Sequence, residues 1–229
     1  MPRKIIFFDI DGTLLLTGGA GQASLEQALI SEFDVDFPFE GVLTAGRTDR
    51  GITDEIFDRY QIENTQENRL RFRTSYLEQL PPRLEAAPGK LLPSVRELVR
   101  ELAAVEDVAL GVLTGNYEEA AWIKLRHYEL ESFFHPFGGF GDHHPHRDDV
   151  ARSALTAAEG FLGDDFHSAS RLVIGDTPAD ITCARAIDAT AIAVATGSYE
   201  SQQLQSHNPD LLFDDFTETS TVVEKILSI

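Results

Sequence analysis

Residues 4–16 read KIIFFDIDGTLLL, and this stretch decides the fold. An apolar run, residues 5–8, leads directly into two carboxylates, Asp9 and Asp11, with Gly12 behind them. A continuous apolar run without alternation is typical of a strand that is buried on both faces, as in a parallel sheet. Turn chemistry does not require two acids at this spacing, so we interpret them as reactive groups at the end of the first strand.

Similar apolar runs alternate with helical patterns along the rest of the chain. The runs that we predict to be strands are residues 108–114, 171–176, 191–197 and 211–213. The helical patterns between them are residues 93–105, 118–130, 151–162 and 178–187. This alternation predicts right-handed βαβ units and therefore an α/β fold, a three-layer Rossmann-like core around a parallel sheet.

One region between the first strand and the rest of the sheet breaks the alternation. It contains helical patterns alone, at residues 21–33, 49–60 and 67–80. Glycines 18, 19 and 21 open it, and Pro81, Pro82, Pro88 and Gly89 close it. We predict a helical cap of residues 18–88 inserted after the first strand into a core of residues 1–17 and 89–229.

The charge balance narrows the possible partners. The chain has 229 residues, with 19 basic and 38 acidic side chains and a formal net charge of -19. Such a surface repels nucleic acid and anionic lipid, whereas it suits a divalent cation. There is one cysteine, Cys183, and no apolar run is long enough for a signal peptide or a membrane span. We expect a cytoplasmic protein that binds neither nucleic acid nor membrane.

Polar residues follow three of the predicted strands. Because the carboxyl ends of parallel strands share one edge of the sheet, we expect these residues to meet there. They are Asp9 and Asp11 after the first strand, Thr114, Gly115 and Asn116 after the second, and Asp176 after the third.

These segments, in this order, resemble the motifs of a known family. DIDGTLL (9–15) resembles the first motif of the haloacid dehalogenase (HAD) superfamily of phosphohydrolases. VLTGN (112–116) resembles its second motif, and VIGDTPADI (173–181) its fourth. The helical insertion resembles the mobile cap of the phosphoglycolate-phosphatase-like branch.

The resemblance implies a role for each candidate residue. Asp9 is the expected nucleophile, which forms an aspartyl phosphate, and Asp11 the expected proton donor and acceptor. Gly12 lets the backbone approach the phosphoryl oxygens, which Thr114, Gly115 and Asn116 are expected to bind. The family implies that Mg²⁺ is held by the Asp9 side chain, the Asp11 carbonyl and Asp176. Asp180 is expected to bind a metal water or to orient its neighbours.

The chain departs from the family at the third motif, which is usually a lysine followed by proline. No such pair lies between the second and fourth motifs. Arg147 is our preferred replacement, with Lys124 as the alternative. In the cap, Arg47 is a candidate for binding a carboxylate or distal phosphate of the substrate.

The leading interpretation is a Mg²⁺-dependent phosphatase that acts on a small phosphorylated metabolite, for which phosphoglycolate is one candidate. A phosphomutase of the β-phosphoglucomutase type is the main alternative. A dehalogenase is disfavoured by Asp11 and by the GDTPAD segment. A non-catalytic binding protein on the same fold is a further alternative.

Overall fold

The computed structural model describes residues 4–35 and 41–229. Its strands are β1 (Lys4–Phe8), β2 (Leu15–Leu16), β3 (Lys90–Leu91), β4 (Val108–Leu113), β5 (Gly138–Gly139), β6 (Ser170–Gly175), β7 (Thr190–Val194) and β8 (Leu211–Phe213). Its α-helices are α1 (Ala20–Phe33), α2 (Asp49–Arg59), α3 (Gln66–Ala86), α4 (Val95–Ala103), α5 (Glu118–His127), α6 (Arg147–Leu162), α7 (Pro178–Ala186), α8 (Ser201–Gln205) and α9 (Thr219–Ser228). Within the described ranges, none of these helices combines the length and the apolar character that a membrane span requires.

The main sheet has six strands in the order β5-β4-β1-β6-β7-β8, and each neighbouring pair is parallel. All five predicted strands are present. The two-residue strand β5 and the antiparallel pair β2–β3 were not predicted, because two residues are too few to produce a periodic pattern. Strand β1 lies between β4 and β6, so the ends of these three strands are neighbours.

Successive residues of β1 point to opposite faces of the sheet and enter two separate apolar clusters. Ile6 and Phe8 pack on the face that is covered by α4, α5 and α9. Ile5 and Phe7 pack on the face that is covered by α6 and α7. All four side chains are fully buried, and each stabilises the fold by roughly 1.5–3 kcal/mol. The predicted three-layer, Rossmann-like α/β architecture is confirmed.

The three helices between β2 and β3 share a third apolar cluster, which includes Leu29, Phe57 and Phe72. Tyr117 and Ala120, at the start of α5, also belong to this cluster. In the described part of residues 18–88 the structure contains helices and no strand. The division into a cap of residues 18–88 and a core of residues 1–17 and 89–229 stays a prediction.

Helix α3 is longer than expected, because Pro81 and Pro82 lie inside it rather than after its end. Proline in a helix costs a hydrogen bond and strains the preceding turn. Leu80 and Leu84 lie on either side of the two prolines and are buried in the third apolar cluster. The packing of these leucines compensates for the hydrogen bond that proline removes from the helix. Helix propensities describe single residues and do not include such tertiary packing, so the sequence predicts an end at residue 80.

Candidate active site

Three neighbouring strands bring their terminal polar residues to one edge of the sheet. Asp9 follows β1, Thr114 follows β4 and Asp176 follows β6, and the three are 5%, 1% and 3% exposed. Asp9, Asp11, Gly12, Thr114, Gly115, Asn116, Arg147 and Asp176 all line one cavity of about 480 Å³. The structure therefore brings together the residues that the sequence predicted to meet.

Three buried carboxylates form a compact cluster, and two of them line this cavity. One oxygen from each of Asp9, Asp176 and Asp180 lies within 4.8 Å of the others. Burial, with repulsion from Asp180 and Asp9, raises the pKa of Asp176 to about 8. Burial likewise raises the pKa of Asp9 to about 6, although Arg147 opposes the shift. These carboxylates lie close together although their negative charges repel one another, and a bound cation would relieve this repulsion. Carboxylate oxygens are ligands that Mg²⁺ prefers, so this set of donors fits Mg²⁺.

Asp180 is held firmly by its neighbours. Its Oδ2 accepts hydrogen bonds from the backbone N–H of Thr177, at 3.0 Å, and from the Thr177 hydroxyl, at 2.7 Å. Its Oδ1 pairs with the guanidinium of Arg147. Since both oxygens already have partners, Asp180 is suited to orient its neighbours as well as to contact a cation.

The loop after β1 passes over Asp176 at a position where a side chain would not fit. Gly12 has a φ of 87°, and a Cβ atom there would overlap the Asp176 carboxylate. Thr13 donates a hydrogen bond of 2.8 Å from its hydroxyl to Asp176 Oδ1. Position 12 thus requires glycine for two reasons: the positive φ of the backbone and the short distance between this backbone and the Asp176 carboxylate.

Arg147 is the cation beside the candidate nucleophile. The sequence pattern predicts that this helix begins at position 151, but in the structure α6 begins at Arg147. A guanidinium nitrogen lies 3.5 Å from Asp9 Oδ2. Burial opposes the charged form of Arg147, but the negative charges of Asp180 and Asp9 outweigh burial and raise its pKa.

Lys124 lies beside the other acid of the first motif. Its side chain is 4% exposed, and its Nζ is 2.6 Å from Asp11 Oδ2 and 2.6 Å from Asn116 Oδ1. From the sequence, Arg147 and Lys124 are alternatives for one position. In the structure both line the cavity, and each faces a different carboxylate.

Asn116 connects the second motif to both acids. Its Nδ2 donates to Asp11 Oδ2 at 2.8 Å and to Thr114 Oγ1 at 2.7 Å. The Thr114 hydroxyl also favours the charged carboxylate of Asp9 and so lowers the Asp9 pKa. The second motif therefore links Asp11 by hydrogen bonds to Thr114, which acts on Asp9.

Arg47 lies at the cavity, but its guanidinium is held within its own segment. It donates to the carbonyls of Leu43, at 3.1 Å, and Gly51, at 3.0 Å, and it pairs with Glu55. The Arg47 carbonyl packs against Gly115 so closely that a Cβ atom on Gly115 would overlap it. The contact between Arg47 and the second motif is thus made by the backbone.

Asp49 lines the cavity, although the sequence predicts it only as the start of a helix. It is buried, its carboxylate accepts a hydrogen bond of 2.8 Å from the Tyr117 backbone N–H, and its own N–H donates to the Gly115 carbonyl at 2.7 Å. Burial raises the pKa of Asp49 to about 6, and the charge of Lys124 opposes this shift. No sequence signal separates this residue from an ordinary acid in the first turn of a helix.

The chain is similar to known proteins over most of its length. Residues 6–194 match the family model described as haloacid dehalogenase-like hydrolase. The pyrophosphatase PpaX of Oceanobacillus iheyensis is 23% identical over 97% of this chain and 98% of its own length. The probable phosphatase IndB of Dickeya dadantii is 25% identical over 99% of this chain and 96% of its own length. A crystal structure of a predicted phosphatase from Clostridium acetobutylicum superposes with a TM-score of 0.69 at 18% identity, with all of both chains covered.

Proposed function

The chain belongs to the haloacid dehalogenase-like hydrolase family, and on that premise we propose that it is a Mg²⁺-dependent phosphatase. Its substrate is a small-molecule phosphate monoester, and hydrolysis proceeds through an aspartyl phosphate on Asp9. The observation that carries this proposal is the pairing of each acid of the first motif with its own cation. Arg147 lies beside Asp9, and Lys124 lies beside Asp11.

Asp9 acts as the nucleophile in the first step. Its carboxylate oxygen forms a bond to phosphorus while the bond from phosphorus to the leaving oxygen breaks. Arg147, which is within 3.5 Å of Asp9, offsets the negative charge that accumulates there. The Thr114 hydroxyl, which contacts Asp9, is placed to hold a phosphoryl oxygen.

Asp11 moves the protons. Its side chain is 41% exposed and lines the cavity, so that it can meet the leaving oxygen. In the first step it donates a proton to that oxygen. In the second step a water molecule attacks the phosphoryl group, Asp11 takes a proton from this water, and Asp9 and inorganic phosphate are released.

The buried carboxylates would hold the cation. Asp9 and Asp176 would bind Mg²⁺ through their side chains, together with the Asp11 carbonyl, and Asp180 would orient this set. When bound, Mg²⁺ supplies positive charge that lets an anionic nucleophile approach an anionic phosphate.

The cavity favours a small substrate. At about 480 Å³ it lies in the lower half of the range of small-molecule pockets, and the transferred phosphoryl group takes up part of this volume. Phosphoglycolate and similar short phosphate esters suit this space. For Arg47 to hold a carboxylate of such a substrate, its ion pair with Glu55 has to open. The name of the pyrophosphatase relative adds inorganic pyrophosphate to the compounds worth testing.

A screen of phosphorylated metabolites for released phosphate, with Mg²⁺ and with EDTA, tests the proposal. We expect turnover of at least one small monoester that EDTA abolishes and Mg²⁺ restores. Turnover that is insensitive to EDTA would contradict the metal-dependent mechanism. A phosphomutase passes the phosphoryl group to a sugar phosphate acceptor and releases little inorganic phosphate, so that fast phosphate release without an acceptor excludes it.

A further inference from the structure

We propose that Lys124 is a positioning residue for Asp11. Its ammonium holds the Asp11 carboxylate in the orientation from which Asp11 protonates the leaving group. This inference rests on the proposed function and adds a role that the motifs of the chain do not assign.

The burial of Lys124 requires an explanation. Lys124 is 3% exposed, whereas Lys90 and Lys225 are on the surface. An ammonium is costly to remove from water unless charged or polar acceptors replace its hydration. Lys124 finds these acceptors in Asp11 and Asn116, each at 2.6 Å. A lysine that merely stabilised the fold could place its charge in solvent, as long side chains commonly do.

The two carboxylate oxygens of Asp11 differ in the hydrogen bonds that they accept. Lys124 Nζ, at 2.6 Å, and Asn116 Nδ2, at 2.8 Å, both donate to Oδ2. Among the described residues, no hydrogen bond is made to Oδ1. Two donors on one oxygen fix the rotation of the carboxyl group and leave the other oxygen to exchange the proton with the substrate.

Lys124 also positions the neighbour of Asp11. Asn116 accepts from Lys124 through Oδ1, which orients its Nδ2 toward Asp11 and Thr114. Lys124, Asn116 and Asp11 therefore form a closed triangle of hydrogen bonds. Removal of the ammonium would leave Asn116 free to turn and would weaken both constraints on Asp11.

The cap region contributes to this arrangement through Asp49. The Lys124 charge stabilises the charged carboxylate of Asp49, which is docked on the Tyr117 N–H. The ammonium therefore contacts Asp11 and Asn116 and acts through its charge on Asp49. These three residues lie after the first strand, in the second motif and at the start of helix α2.

The proposed role predicts a dependence on the leaving group. When the bond from phosphorus to the leaving oxygen breaks, the electron pair stays on that oxygen, which takes the proton from Asp11. An alkoxide needs this proton, whereas para-nitrophenolate is stable without it. A misplaced Asp11 therefore slows the first step, the cleavage of the ester bond, much more for alkyl phosphates than for para-nitrophenyl phosphate.

The test compares Lys124→Met with the wild-type protein on para-nitrophenyl phosphate and on the best alkyl phosphate from the metabolite screen. We expect kcat/KM, which reports on the first step, to fall by about 100-fold on the alkyl phosphate, the usual contribution of a general acid, with little change on the aryl phosphate. The second step also uses Asp11 and is common to both substrates, so kcat is not the quantity that is compared. Asp11→Asn should show the same selectivity. Lys90→Met, which alters an exposed lysine, is the matched control and should leave both activities unchanged.

Equal losses of kcat/KM on the two substrates, or no loss on either, would overturn the proposal. If Met at this buried position unfolds the chain, Lys124→Gln serves instead, because it keeps a hydrogen-bond donor and removes the charge. A wild-type protein that hydrolyses neither substrate would refute the proposed function itself, so that the two failures are distinguishable.

Discussion

A guanidinium nitrogen of Arg147 lies 3.5 Å from a carboxylate oxygen of Asp9, although the two residues come from α6 and from the end of β1. The same guanidinium pairs with Asp180. One buried cation therefore partly neutralises two of the three clustered carboxylates. On this contact we propose that Arg147, and not Lys124, takes the role of the family's third-motif lysine.

The first prediction compares Arg147→Ala with Lys124→Ala. We expect Arg147→Ala to lower kcat by about 100-fold or more on both alkyl and aryl phosphates, because the charge near Asp9 is needed whatever the leaving group. Steady-state kinetics with both substrates measures the effect. The assignment is wrong if Lys124→Ala reduces turnover of the aryl phosphate more than Arg147→Ala does.

The second prediction concerns Asp9→Asn. We expect it to abolish phosphate release from every substrate, because an amide cannot form the acyl phosphate. We also expect its Tm in EDTA at about pH 8 to equal or exceed that of the wild-type protein, since burial makes the charged Asp9 unfavourable. Asp107→Asn, on an exposed acid, is the control. Retention of most of the turnover would refute the nucleophile assignment.

The third prediction concerns pH and metal. The folded-state pKa values of Asp9, Asp49 and Asp176 are all raised, to about 6, 6 and 8. The stability from these groups is full below the unfolded value near 4 and is lost as pH rises through the raised values. The Tm of the metal-free protein should therefore fall between about pH 5 and pH 9.

Mg²⁺ should reverse this loss, because it binds the deprotonated carboxylates. We expect the increase in Tm caused by Mg²⁺ to be larger at about pH 8 than at about pH 5, as measured by thermal unfolding. Asp176→Asn should show a smaller increase and a weaker dependence on pH. A Mg²⁺ effect that is equal at both pH values would argue against the carboxylate cluster as the metal site.

The fourth prediction concerns the contact between Arg47 and Gly115. A methyl group on Gly115 would overlap the Arg47 carbonyl, so Gly115→Ala must push the cap segment away from the second motif. We expect a loss of kcat/KM of at least about 10-fold from the misplaced site.

Gly160→Ala is the matched control for this substitution. Gly160 lies within α6 and has open space around it, so alanine there should leave activity unchanged. It should also raise stability by about 0.5–1 kcal/mol, because alanine is the better helix former. If both variants kept full kcat/KM, the close contact would have no functional importance.

The sequence by itself was sufficient for the architecture and for the location of the site. Apolar runs that alternate with helical patterns require a parallel sheet with helices on both faces, as Ile5 to Phe8 illustrate. In such a sheet the residues that directly follow the strands must meet at one edge. Asp9, Thr114 and Asp176 could therefore be placed together before any coordinates were known.

Only the tertiary structure decided which charged groups face each other. Arg147 pairs with Asp9 and Asp180, Lys124 with Asp11, and Arg47 with Glu55. These pairs, the buried position of Asp49 and the continuation of α3 through Pro81 depend on how separate elements pack. Local sequence determines the period of a strand or helix, but the contact between two distant side chains depends on the register, the rotation and the burial of both elements.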